Sequence, residues 1–136
     1  MTTSPDTRGL PASEEPPPLI YIVDDELTIG WFAEEILKRA GFRTMFFQEP
    51  GRALQHFEQT DVKPDLLLTD YHMTSLDGME LIECCKQLKP DLKTILYSGT
   101  ASADAMDHYP FKPDRFLKKP FEPEALVDAV RSALAS

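Results

Sequence analysis

Residues 64–81 read PDLLLTDYHMTSLDGMEL, and they hold a contradiction that decides the fold. Leu66, Leu67 and Leu68 form an unbroken apolar run, the pattern of a strand buried on both faces. The run leads through Thr69 straight into Asp70, a carboxylate that avoids apolar surroundings unless it is paired. A helix-like segment follows at once, "DGMELIECCKQLK", with Ile82, Cys85 and Leu88 on one face and Pro90 closing it.

The same alternation extends outward in both directions. Upstream, "LIYIVDD" is a short β-branched apolar run. Ile29, Phe32, Ala33, Ile36, Leu37 and Ala40 then recur at helical spacing, with Gly41 as C-cap. "FRTMFF" has the character of a strand, and "PGRALQHFEQ" that of a helix with Pro50 near its start. Downstream, "KTILYSG" and "RFLKKP" are a fourth and a fifth strand. "EPEALVDAVRSALA" is a last helix carrying Leu126, Val127, Val130 and Leu134. Strands alternating with helices predict an α/β fold: a doubly wound, five-stranded parallel sheet with right-handed crossovers and helices on both faces. Ligands of such sheets sit beyond the carboxyl ends of the strands. Asp70 is therefore expected at the carboxyl end of its strand rather than in the buried part.

Bulk properties agree. A chain of 136 residues makes one domain, able to bury roughly 68% of its unfolded surface without a disulfide or structural metal. The net charge of −9 argues against nucleic acid or an anionic membrane as direct partner. No signal peptide opens the chain, and "LIYIV" is far short of a membrane span. Cys84 and Cys85 are helix neighbours, poorly placed to bridge each other, which predicts a reduced, cytoplasmic protein. Residues 1–18 hold five of the twelve prolines and almost no large apolar side chains. They are expected to form a disordered, partly polyproline-like tail, a solvated leader rather than a docking motif, ahead of a domain over 19–136.

The chemistry gathers at the strand ends. The first strand finishes with Asp24 and Asp25, so if it neighbours the third, three carboxylates converge on one pocket. Like charges that close raise one another's pKa unless something neutralises them. A hard divalent cation such as Mg²⁺ suits a few carboxylates and leaves room for phosphate oxygens. A lysine would serve too, and the fifth strand ends with Lys118, Lys119 and Pro120. Strand alternation places Lys119 on one side and Lys118 on the other, so one of them can enter the pocket. Ser98 adds a hydroxyl at the end of the fourth strand, and Gly99 leaves backbone room. Acids, a cation, a hydroxyl and a lysine together compose a phosphoryl site with a carboxylate as possible nucleophile.

On "YIVDDE", "LLLTDYHM…LDG", "ILYSG" and "FLKKPF", in that order, the chain resembles a response-regulator receiver domain of two-component signalling, over about residues 19–135. The resemblance implies a flavodoxin-like sheet of strand order 2-1-3-4-5 and makes Asp70 the phosphoacceptor. It implies Mg²⁺ held by Asp25 directly, by Asp24 through water and by the backbone carbonyl of His72. Lys119 would pair with the phosphoryl oxygens, its bond to Pro120 being cis. Ser98 would be the switch hydroxyl and Phe116 the aromatic that swings in behind it. Implied partners are a histidine kinase or histidine phosphotransfer protein and a downstream protein target.

The chain departs from the family at several points. Thr74 replaces a usual proline four residues after the acceptor. "DHYPFKPDRF" replaces the usual turn before the fifth strand, and its prolines limit the fourth helix to about two turns over residues 102–109. Phe116 lacks the hydroxyl of a tyrosine. His72 and Thr100 stand where side chains tune dephosphorylation, although His72 reads equally well as a solvent-facing loop histidine. His56 and His108 are expected on the surface, and Met73 and Met79 as core or loop fillers. Trp31 falls off the apolar stripe of its helix, which predicts exposure. It is either a partner-docking anchor, since kinase and phosphotransfer partners dock at this helix in the family, or simple packing.

Three functions follow, in order. The first is a receiver that is a switch, not an enzyme, and that stands alone because the chain ends just after its last helix. An alternative within it is a module of a larger hybrid protein. The second is a small Mg²⁺-dependent phosphohydrolase with an aspartyl nucleophile. Haloacid-dehalogenase-like enzymes of that type carry an Asp-x-Asp motif after the first strand, where this chain has Glu26 at the second position. The third is a pseudo-receiver, which the full set of Asp24, Asp25, Asp70, Ser98 and Lys119 disfavours.

Overall fold

Leu66, Leu67 and Leu68 are all fully buried, each contributing roughly 1.5–3 kcal/mol through the area it removes from water. The strand they form is the middle of the sheet. The computed structural model describes residues 16–99, 109–110 and 112–136. Among these the elements are β1 (Leu19–Val23), α1 (Leu27–Arg39), β2 (Arg43–Phe47), α2 (Pro50–Gln59), β3 (Leu66–Asp70), α3 (Gly78–Leu88), β4 (Lys93–Ser98), β5 (Arg115–Lys118) and α4 (Pro123–Ala135). The sheet is parallel throughout, in the order β2-β1-β3-β4-β5. The order reverses between β1 and β3, and the carboxyl edge at that point is where such folds bind their ligands.

Alternation along the strands sorts the core into two layers. Ile20, Ile22, Leu66, Leu68, Ile95 and Tyr97 face α1 and α4, meeting Ala33, Leu37, Leu126 and Val130. Tyr21, Val23, Leu67 and Leu96 face α2 and α3, meeting Ala53, Phe57, Met79, Ile82 and Cys85. Several local devices fix the connections. Gly41 follows α1 at φ 99°, the left-handed conformation that suits glycine at a helix end. Asp77 and Glu80 close a reciprocal capping box at the start of α3, with bonds of 2.8 and 2.9 Å. Gly78 packs so tightly that a Cβ there would lie 2.2 Å from the Asp70 carbonyl oxygen.

Some expectations need correction. Phe32 is 48% exposed rather than buried, its ring stacked against that of Phe121 with centroids 6.2 Å apart. Leu88, the last residue of α3, is 50% exposed rather than buried. His56 is not a free surface residue: its Nδ1 lies 2.6 Å from the hydroxyl of buried Tyr21. Just ahead of β1, the Pro17 and Pro18 carbonyls accept hydrogen bonds from Arg43 at the start of β2. Residues 1–15, Thr100, His108 and all but Tyr109 of the expected short fourth helix lie outside the described residues. Among the described residues no helix is long and apolar enough to cross a membrane. Cys84 and Cys85 are both free thiols, their pKa values pushed up by burial, that of Cys85 to about 12.

Candidate functional site

Register builds the site. Val23 pairs with Thr69 and Asp70 with Tyr97, so Asp24, one residue past β1, lies level with Asp70 and Tyr97. By alternation all three share the α1/α4 side of the sheet. Leu117 is on that side as well, which brings Lys119, two residues on, over the same rung. Its Nζ reaches Asp70 Oδ1 at 3.1 Å, Asp24 Oδ2 at 3.4 Å and Glu26 Oε1 at 3.6 Å. The Lys119–Pro120 peptide bond is cis, as the resemblance implied.

Asp70 does end its strand, but it is only 5% exposed, and here the expectation that it leaves the buried part is corrected. Lys119 from beyond β5 and the buried Asp24 from the end of β1 crowd around its carboxylate. Burial, reinforced by the charge of Asp24 and opposed by Lys119, pushes Asp70 up to about 6. Burial works against the Lys119 charge, yet Asp24 and Asp70 outweigh it and hold the ammonium above its ordinary range. The pair is thus an excess of negative charge leaning on one cation.

Asp24 is completely buried. Its Oδ1 accepts the Glu26 N–H at 2.9 Å, and its Oδ2 accepts the Tyr97 O–H at 2.6 Å. Asp25 is half-buried, with its carbonyl accepting from Gln48 Nε2 at 3.2 Å. Asp24, Asp25 and Asp70 each offer a carboxylate oxygen, and these atoms all lie within 4.8 Å of one another. Three oxygen donors at that spacing, under-neutralised by a single lysine, fit a hard divalent cation.

A cavity of about 450 Å³ opens over this cluster, lined by Asp25, Glu26, Asp70, His72, Ser98, Gly99 and Lys119. Ser98 is buried on the other face of β4, the face it shares with Leu96 and Phe116. Phe116 is half-buried against the α2/α3 layer. His72 is exposed at the rim, its ring 4.6 Å from that of Tyr71. Trp31 lies away from the cluster on α1, 56% exposed. The fold therefore brings Asp24, Asp25, Asp70, Ser98, His72 and Lys119 together and leaves Phe116 and Trp31 on flanking surfaces.

Two participants were missed from sequence. Glu26 puts its carboxylate 3.6 Å from Lys119 Nζ, and a glutamate after two aspartates carries no sequence signal that it would reach a lysine beyond the fifth strand. Tyr97 was legible in principle: a tyrosine inside the apolar run "KTILYS" needs a partner for its hydroxyl when buried.

A five-stranded doubly wound sheet in the order 2-1-3-4-5, with an acid cluster and a lysine at its switch point, defines a flavodoxin-like fold. The family model of the response regulator receiver domain matches residues 20–131, and the chain belongs to that family. Receivers of this family serve two-component signalling, typically with a phosphorylatable aspartate and Mg²⁺. The DNA-binding transcriptional regulator NtrC of Escherichia coli K12 is 30% identical over 118 residues, 86% of this chain and 25% of NtrC. The DNA-binding response regulator MtrA of Mycobacterium leprae is 30% identical over 118 residues, 85% of this chain and 50% of MtrA. This chain thus spans a quarter to a half of those relatives. Among solved structures, a CheY-like receiver domain protein from Methanospirillum hungatei JF-1 superposes with a TM-score of 0.80 at 27% identity, covering 88% of this chain and 94% of that one.

Proposed function

We propose that Asp70 accepts a phosphoryl group from a histidine kinase or histidine phosphotransfer protein, with Mg²⁺ bound at the acid cluster, and that the domain responds by changing its protein contacts. The observation that carries this is the Lys119 ammonium 3.1 Å from a buried Asp70 whose neighbours Asp24 and Asp25 form a three-carboxylate cluster.

In the transfer, an Asp70 carboxylate oxygen bonds to phosphorus as the N–P bond of the donor phosphohistidine breaks. The imidazole leaves with the electron pair and takes up a proton from water. Asp24, Asp25, Asp70 and the His72 carbonyl would hold the cation, which supplies charge neutralisation for the phosphoryl oxygens. Lys119 pairs with those oxygens from the other side. Ser98 then moves toward the new anion, and Phe116, on the same face of the sheet, fills the space behind it. His72 at the rim tunes hydrolysis, as Thr100 does. The cycle closes when water cleaves the acyl phosphate, and the domain is read as a signalling switch that takes part in its own phosphorylation and dephosphorylation.

Trp31 serves as a docking anchor for the phosphodonor. The charge of −9 favours protein over nucleic acid as the contact of this domain, the DNA binding named for NtrC and MtrA being a property of those proteins. Unbridged Cys84 and Cys85 fit a reducing, cytoplasmic setting. The reading serves a receiver acting alone as well as a module of a longer regulator, because every residue in its chemistry lies between 24 and 119.

Incubation with a small-molecule phosphodonor and Mg²⁺, followed by intact mass measurement, tests it. Wild type is expected to gain one phosphoryl group and Asp70→Asn none. A phosphorylated Asp70→Asn would overturn the assignment, and sustained turnover of a chromogenic phosphate monoester would favour the phosphohydrolase.

A further inference from the structure

The hydroxyl of Tyr97 is the feature of the site that the transfer chemistry leaves unused. In a strand otherwise facing Ile20, Ile22, Leu66, Leu68 and Leu126, a tyrosine oxygen must find a partner, and this one finds a carboxylate. The bond to Asp24 Oδ2, at 2.6 Å and fully buried, has the length of a charge-assisted O–H···O⁻ bond. The ring cannot follow a moving partner. It is held opposite Asp70 by strand register, by Phe121 with centroids 5.6 Å apart, and by Lys119 with Nζ 4.7 Å from the ring centre.

A carboxylate offers about four lone-pair sites. On Asp24, Tyr97 takes one at Oδ2 and Lys119 approaches the same oxygen at 3.4 Å, while the Glu26 amide takes one at Oδ1. Asp24 is thereby locked in rotation with one site left for an incoming ligand. Without the hydroxyl, the carboxylate is free to turn toward Lys119, the only cation in contact with it among the described residues. That turn takes an oxygen away from Asp25 and Asp70.

We propose that Tyr97 is a positioning residue of the cation site, its hydroxyl orienting Asp24 toward Asp25 and Asp70 and so setting divalent-cation affinity. The proposal rests on the metal-binding reading above. Outer partners of ligating carboxylates typically control metal affinity by about tenfold or more.

The test is calorimetric titration of the whole chain with Mg²⁺. Tyr97→Phe keeps the ring and its packing and is expected to bind about tenfold more weakly than wild type. Tyr21→Phe, which removes the hydroxyl of another core tyrosine, bonded to His56 instead, is expected to match wild type. Asp24→Asn and the Asp24→Asn/Tyr97→Phe double variant complete a cycle. If Tyr97 acts through Asp24, the second substitution costs nothing further once Asp24 is changed. Wild-type affinity in Tyr97→Phe overturns the inference. So does an equal loss in Tyr21→Phe, which marks general loosening of the core, and so do additive losses in the cycle. A wild type that binds no Mg²⁺ removes the metal reading itself, and this inference with it.

Discussion

Burial and the Asp24 charge push Asp70 up to about 6, so at mildly acidic pH the folded domain holds a proton there that the unfolded chain has lost. Between about pH 4 and pH 6 the native state binds more protons, and stability falls as pH rises through that window. Above pH 6 the full penalty is present; below pH 4 it is gone. Asp70→Asn abolishes it at every pH. Thermal melts without divalent cations are expected to show Asp70→Asn more stable than wild type at pH 7.5, with the gap narrowing at pH 5. Equal gaps at both values would mean that the carboxylate is not strained by its neighbours. On the function proposed above, this one residue links the buried position of a strand end to phosphoryl chemistry: its ionised carboxylate is disfavoured by burial and by Asp24, and a cation or a phosphoryl bond would relieve it.

At the scale of elements, the β3–α3 junction is the least tolerant. A Cβ on Gly78 would stand 2.2 Å from the Asp70 carbonyl oxygen and 2.7 Å from Leu96 Cδ1. The first is backbone and cannot turn aside, so Gly78→Ala is expected to cost about 1–3 kcal/mol, read as a lower urea midpoint at unchanged slope. It should also slow phosphorylation, since relief of the clash moves Asp70 itself. On the opposite layer, α1 presents Leu27, Trp31 and Phe32 to solvent, each more than a third exposed. Trp31→Ala removes no core contact and is expected to leave the melting temperature within about a degree or two, in keeping with a surface substitution. Phosphotransfer from the cognate donor should slow at least severalfold. Unchanged transfer kinetics would end the docking role of Trp31.

Across the whole molecule, the proposed cation binding would be linked to folding, because the three-carboxylate cluster exists only when β1 and β3 are paired. Mg²⁺ at a hundred times its dissociation constant is expected to add about 2.7 kcal/mol of stability, and a chelator to remove it. Asp25→Asn should lose this response while keeping the fold; a response retained in Asp25→Asn would place the cation elsewhere on this acidic surface.

The sequence alone determined much of this. Strand and helix positions, parallel pairing and the acid cluster follow from runs of Leu, Ile and Val whose period is set by backbone geometry, and from Asp24, Asp25 and Asp70 lying at run ends. The order of strands and the family's roles rested on resemblance, and the order was then met in the sheet. Only the tertiary structure decided that Asp70 is buried, that His56 serves Tyr21, that Phe32 leaves the core for Phe121, and that Tyr97 holds Asp24. Those facts depend on which side chains far apart in the chain meet across the sheet. No local periodicity encodes such a meeting, because Asp24 and Tyr97 are joined by register and burial and not by spacing along the chain.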